Sequence, residues 1–359
     1  MKNTRKGVNQ PVEGSRKMRT LAWKFKLIVY FMASLLLVAG FLGLNLRSRA
    51  QEPAQSTYSS PDEAMRALVT AVNAKDRAAL GAIFGPENEK LLSGDDVEDT
   101  NDLNEFAEAI SESTLLQKAS ETKYILVVGK DNYPTPIPIV QKDGRWMFAT
   151  LAGLEEVLDR RIGENELSAI ETCRAYAVAQ WEYFTQGDWD NDGVAEYAQR
   201  FYSTPGQRNG LYWETAEGEN PSPFGAHVAA AREEGYVRKP RRVAATEKTE
   251  TAGAESVSQN ELPPHPRSPY HGYYFKILKA QGLHAPGGKY SYVINGNMIA
   301  GYALVAFPDK WGNSGVMTFI INQQGRAYQK NLGPHTTRLA AAITEYDPDP
   351  SWKFVDTQP

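Results

Sequence analysis

The chain holds one cysteine, Cys173, in 359 residues, so no intrachain disulfide can form. Whatever order the body has must come from burial and hydrogen bonding. A lone cysteine on an apolar stripe reads as a small buried residue in preference to a reactive thiol. Histidine is equally sparse. His227, His265, His271, His284 and His335 are scattered, and none forms a His-x-x-x-His pair, which argues against a zinc site. A glycine-rich phosphate loop and a dinucleotide fingerprint are both missing. Positive charge is scarce outside the N-terminus. Residues 1–50 carry ten Lys/Arg against one acid, Glu13, so the rest of the chain carries −13 beneath the overall net charge of −4. An acidic body excludes nucleic acid as a partner, because that affinity comes from neutralised phosphates.

What is there begins with a basic leader. Lys2, Arg5, Lys6, Arg16, Lys17, Arg19, Lys24 and Lys26 precede an uncharged apolar stretch that opens at Leu27 and closes at Leu46. Two readings fit residues 1–50. A signal peptide would be cut after Ala50, with Ser48 and Ala50 as the small residues. A retained anchor fits because about 20 apolar residues span a bilayer. In both, the positive flank stays in the cytoplasm and the body is exported. The expected location is the periplasm or the outer face of the cytoplasmic membrane. The expected partners are the inner membrane, through residues 27–46 if they are uncleaved, and an envelope protein.

Residues 59–155 read as a small α+β domain. Ser60, Pro61 and Glu63 open a helix with a cap, a first-position proline and a third-position glutamate. Asp76 starts a second helix, stopped by Gly85-Pro86. Residues 94–102 read as an acidic loop, and Leu103, Phe106 and Ile110 mark a third helix. Strands are expected over 124–128, 137–140 and 145–148, the last two joined by Lys142-Asp143-Gly144. This order resembles the opening of the cone-shaped α+β fold of nuclear transport factor 2 and its relatives.

A C-terminal domain is expected in three pieces. Over 160–236, a long helix from Glu164 to Phe184 carries Leu167, Ile170, Cys173, Ala177, Trp181 and Phe184 at helical spacing, and this stripe reads as core. Residues 237–268 are rich in Lys, Arg, Thr, Glu and Pro and almost free of large apolar side chains, which reads as a disordered insertion. Its Lys239-Pro240-Arg241-Arg242 run is a candidate basic contact. Residues 269–355 alternate sheet-forming runs with glycine turns: strands from Tyr273, over 302–307, from Met317 and from Ala327, the last two around Gln323-Gln324-Gly325. A short helix over 336–344 and a docked Trp352 follow.

Several blocks resemble the exported bacterial proteins grouped as domain-of-unknown-function family 2950. They are Arg160 to Leu167, Glu196 to Phe201, Gly210 to Trp213, Pro269 to Tyr274 and Gly315 to Phe319. The resemblance covers residues 60–355 and implies export, with no function attached. The insertion at 237–267 departs from the family's shorter, glycine-rich link. The C-terminal pattern is also similar to the globular half of type IV pilins and pseudopilins, a long helix packed on an antiparallel sheet. In pilins the membrane helix continues directly into that long helix. Here more than a hundred residues separate them.

Two stretches suggest chemistry. Asp188, Asp190 and Asp192 alternate before Gly193, with Glu196 following. Alternate carboxylates on a tight loop can converge on a hard cation such as Ca2+. Gln199 stands where an EF-hand loop has its last glutamate, so a solvated acidic turn is the competing reading. Gly312-Asn313-Ser314-Gly315 looks superficially like a serine-hydrolase nucleophile loop, but such a serine needs a positioned histidine and acid. The sequence therefore points to an exported, non-catalytic binding or assembly module. An envelope hydrolase using Ser314 or the Asp188 loop is the alternative, and a calcium-stabilised scaffold a third reading.

Overall fold

A computed structural model describes residues 55–189, 193–216, 218–236 and 269–355. The leader, with its apolar stretch, and the polar insertion over 237–268 lie outside the described residues. Among the described residues, no helix is long and apolar enough to cross a membrane. The chain is α+β, and its described residues form two compact units, those up to 92 with 99–157, and 93–98 with those from 158 onward.

In the first unit, α1 (Pro61–Asn73) buries Ala64, Leu68, Ala71 and Val72. The Ser60 hydroxyl accepts the Glu63 N–H at 3.1 Å, and the Glu63 carboxylate reaches back to the Ser59 N–H at 2.8 Å, so one orphan donor of the first turn and the donor just ahead of the cap are satisfied. Helix α2 (Arg77–Phe84) is capped by Asp76 and stops at Gly85, whose φ of +73° is left-handed. Helix α3 (Asp96–Glu112) is followed by strands β1 (Thr114–Ser120), β2 (Lys123–Val128), β3 (Tyr133–Pro134), β4 (Ile139–Lys142) and β5 (Arg145–Phe148). They form one antiparallel sheet in the order β1-β2-β4-β5, with β3 beside β2. Asp143 and Gly144 both have positive φ, as the tight β4–β5 hairpin requires. Leu68, Phe84, Phe106, Leu126, Ile139 and Phe148 close the core.

Helix α4 (Thr150–Gln186) starts well before the Glu164 anticipated from sequence. Leu154 and Val157 give its opening turns an apolar face on the first unit's core. Gly153 sits where a Cβ would lie 2.5 Å from Ile137 Cγ1, so close packing needs glycine there. Tertiary packing thus carries the helix through Gly153, a residue that propensity alone would count against it. The acidic stretch 94–102 differs too. It becomes the start of α3, because Asp95 Oδ1 accepts the Val97 and Glu98 N–H groups at 3.0 and 3.3 Å. Carboxylates also suit the positive end of a helix. Strand β1 and the helix α5 (Gly225–Glu233) were not anticipated.

The second unit lays α4 on a sheet. The strands are β6 (Tyr273–Leu278), β7 (Ala280–Gln281), β8 (Tyr290–Ser291), β9 (Val293–Ile294), β10 (Asn297–Met298), β11 (Ala303–Pro308), β12 (Met317–Asn322), β13 (Ala327–Asn331) and β14 (Lys353–Phe354), with α6 (Thr336–Ala341) between the last two. The main sheet is antiparallel in the order β14-β13-β12-β11-β6, and every residue of β11, between β12 and β6, is buried. The helix residues facing it are Ala169, Ile170, Cys173, Tyr176, Ala179 and Tyr183. This corrects the anticipated stripe at both ends. Leu167 is 58% exposed and Trp181 59% exposed. Two tyrosines pin helix to sheet: Tyr176 donates to the Ala303 carbonyl at 3.3 Å, and Tyr302 to the Ala177 carbonyl at 3.0 Å. Trp352 is partly buried against the core, with Lys330 Nζ 5.6 Å from its ring centre.

Candidate functional site: an aromatic band at the end of the long helix

Of the residues singled out from sequence, those that are described each serve a local contact. Asp188 Oδ2 accepts the Gly193 N–H at 2.7 Å, closing its own turn. Glu196 Oε2 accepts the Met298 N–H at 2.8 Å and tethers the segment to β10. Asp190 and Asp192 lie outside the described residues. Among the described residues, no three His, Cys, Asp or Glu side chains come together as an ion site would need. Ser314 is 3% exposed. Its hydroxyl accepts the Lys310 N–H at 2.9 Å and donates to the Lys310 carbonyl at 3.2 Å. That is a turn clamp, and no histidine is among its partners. His284 pairs with Asp347 at 3.0 Å, and His335 lies in a 3-10 turn before α6. His265 lies outside the described residues.

The remaining two histidines belong to a polar cluster of the second unit. His271 Nε2 lies 2.9 Å from Glu234 Oε2. Its backbone is left-handed at φ +44°, a conformation held by the turn into Gly272. A Cβ on Gly272 would meet Ser314 Cβ at 2.7 Å and Asn165 Nδ2 at 2.8 Å. Burial pushes the Tyr270 phenol up, and the Glu234 charge adds to it. Burial also pushes the Asp95 carboxyl up, against the pull of backbone donors, Tyr236 and His271. His227 lies tilted against Phe224 and edge-on to Tyr270, and burial holds its imidazole below the ordinary value. Each of these groups bonds to another group of the protein, as structural clusters do.

The feature that sequence reasoning missed lies at the C-terminal end of α4. Trp181 stacks on Phe184 with ring centres 6.4 Å apart, and Phe184 on Tyr197 at 4.6 Å. Tyr197 meets Tyr302 edge-on at 4.8 Å. A second set of rings runs from Tyr183 to Trp189 at 5.9 Å and from Trp189 to Trp213 at 5.0 Å. Tyr202, 46% exposed, meets Tyr212 edge-on. Gln180 holds the band in place. Fully buried, it donates to the Ala198 carbonyl at 2.8 Å and to the Tyr176 hydroxyl at 2.9 Å, and accepts the Ala198 N–H at 2.8 Å. Tyr197 is therefore fixed by the residue beside it. The spacing 181, 184, 189 and 197 mixes helix and loop, so no periodicity marked it. The high count of aromatics between Tyr176 and Trp213 was the available signal.

These observations define the class: an α+β protein with a helix-on-sheet unit that carries an aromatic band and no assembled catalytic set among the described residues. A family model described as "Protein of unknown function (DUF2950)" matches residues 55–355, and the chain belongs to that family. No curated protein and no solved structure matches it, so the likenesses to nuclear transport factor 2 and to pilins rest on pattern alone.

Proposed function

We propose that this protein is an exported, non-catalytic binding module of the cell envelope and that the aromatic band is its binding face. The observation that carries the reading is the exposure of Trp181, whose ring stacks on Phe184 and through it on Tyr197, and of Tyr202, edge-on to Tyr212. Soluble surfaces rarely gather large aromatics without use, and Trp and Tyr dominate binding hot spots. Rigid rings also lose little entropy when a partner covers them. Export is supported by the basic flank and apolar run of residues 1–50. The hydrolase alternative finds its proposed serine engaged in a turn.

The test is co-sedimentation of the full chain with isolated envelope. The wild type is expected to sediment with it. A Trp181→Ala/Tyr202→Ala variant, both positions being exposed, is expected to fold normally by circular dichroism and remain in the supernatant. Equal sedimentation of the two would remove the band from the account.

A further inference from the structure

One part of the band is already occupied. The Arg208 guanidinium lies 5.6 Å from the centre of the Trp189 ring and 5.4 Å from that of Trp213. The two indole rings are 5.0 Å apart and inclined at 53°, so they form a two-walled notch with a cation in it. The Trp189 wall is anchored from behind, and so is the loop that carries the cation: Trp189 Nε1 donates to the Tyr183 carbonyl at 2.9 Å, and Tyr183 OH donates to the Arg208 carbonyl at 2.8 Å. Arg208 itself is exposed and sits in an irregular loop. Its side chain can leave without unfolding anything.

We infer that the Trp189–Trp213 notch is a recognition site for a diffuse organic cation, a quaternary ammonium or a guanidinium, and that Arg208 fills it when no ligand is present. This rests on the reading of the aromatic band as the binding face and names the chemistry of one part of it. Ring faces carry negative potential and attract weakly hydrated cations, which is how aromatic cages hold methylated ammonium groups. The guanidinium in place demonstrates that the notch accepts such a group at cation–π distance. Asp188 adjoins Trp189 in sequence, and the exported body carries −13 overall, so the surroundings favour a cation and disfavour an anion. An internal occupant reduces the ligand's apparent affinity to the share set by the fraction of time the notch is open. Removing Arg208 should therefore strengthen binding, which is the reverse of what losing a ligand-contacting residue does.

The experiment titrates the full chain with choline and, separately, with arginine amide, reading tryptophan fluorescence. 3,3-Dimethyl-1-butanol, the uncharged isostere of choline, is the control. Saturable binding of choline or arginine amide is expected, and whichever binds tighter identifies the ammonium or the guanidinium source. Arg208→Ala should tighten it about tenfold or more, and Arg208→Asn should do the same if the alanine variant folds poorly. Trp213→Leu in the Arg208→Ala chain should abolish it, and the neutral isostere should bind at least about tenfold more weakly than choline. Unchanged or weaker cation binding in both Arg208 variants overturns the inference. So does equal binding of choline and its isostere, or binding that survives Trp213→Leu. If no cation binds while Trp181→Ala/Tyr202→Ala still releases the protein from envelope, the notch chemistry is wrong and the binding face stands.

Discussion

Replacing Gln180 by methionine should loosen the aromatic band and the second unit together. The side chain is fully buried and uses both amide hydrogens and its carbonyl oxygen. Methionine preserves volume, so no cavity term enters. The loss falls on Ala198, 1% exposed, whose N–H and carbonyl both lose their partner. Each buried polar group left unsatisfied costs about 1–3 kcal/mol, giving about 2–6 kcal/mol for the pair. For a unit of roughly 200 residues, about 3 kcal/mol corresponds to a Tm lower by about 6–12 °C. The neighbouring Tyr197 should also leave its stack on Phe184, the ring on which Trp181 rests, and the tryptophan fluorescence should shift to the red. The assay is thermal melting followed by near-UV circular dichroism and tryptophan emission. A Tm within about 1 °C of wild type, with unchanged emission, would refute the reasoning that Gln180 positions the band.

Three further outcomes follow from the buried ionisable groups. Burial pushes the Cys173 thiol up to about 12, so in native protein it should resist thiol reagents near neutral pH and react only on unfolding, as absorbance-based labelling kinetics with and without denaturant will report. Asp95 has a folded pKa raised above its ordinary 3.8, so its favourable contribution is present below that value and is lost as pH rises through the folded pKa; Asp95→Asn keeps the capping oxygen and should raise the Tm at neutral pH, with the gain shrinking as pH falls towards 3.8. His227 has a folded pKa below its ordinary 6.5, so the unfolded chain takes up the proton first and stability falls as pH drops from 6.5 through the folded value; urea titrations should show this slope in wild type and a shallower one in His227→Phe.

Much of the fold was legible because its signals are local. Ser60, Pro61 and Glu63 mark a helix start by capping chemistry alone, and Asp143-Gly144 marks a hairpin by the sign of φ. The run that became β11 reads as a buried strand because all its residues face the interior. What was missed is set by distant partners. The opening of α4 depends on Leu154 and Val157 finding the first unit's core, and the start of α3 on Asp95 turning back to cap it. The candidate site was the least legible part. Trp181 occupies a helical spacing that suggested core, yet the sheet takes Tyr176, Ala179 and Tyr183 in its place, leaving Trp181 outward. Arg208, Trp189 and Trp213 are brought together by loops, and no spacing rule joins them.

The most direct measurement of the central claim is a tryptophan footprint of the full chain with and without isolated envelope, using oxidation by N-bromosuccinimide read by mass spectrometry. Trp181, Trp189 and Trp213 should be protected on binding, while Trp311, 37% exposed and away from the band in sequence, should oxidise at an unchanged rate. Protection of Trp311 with Trp181, Trp189 and Trp213 left reactive would contradict the account.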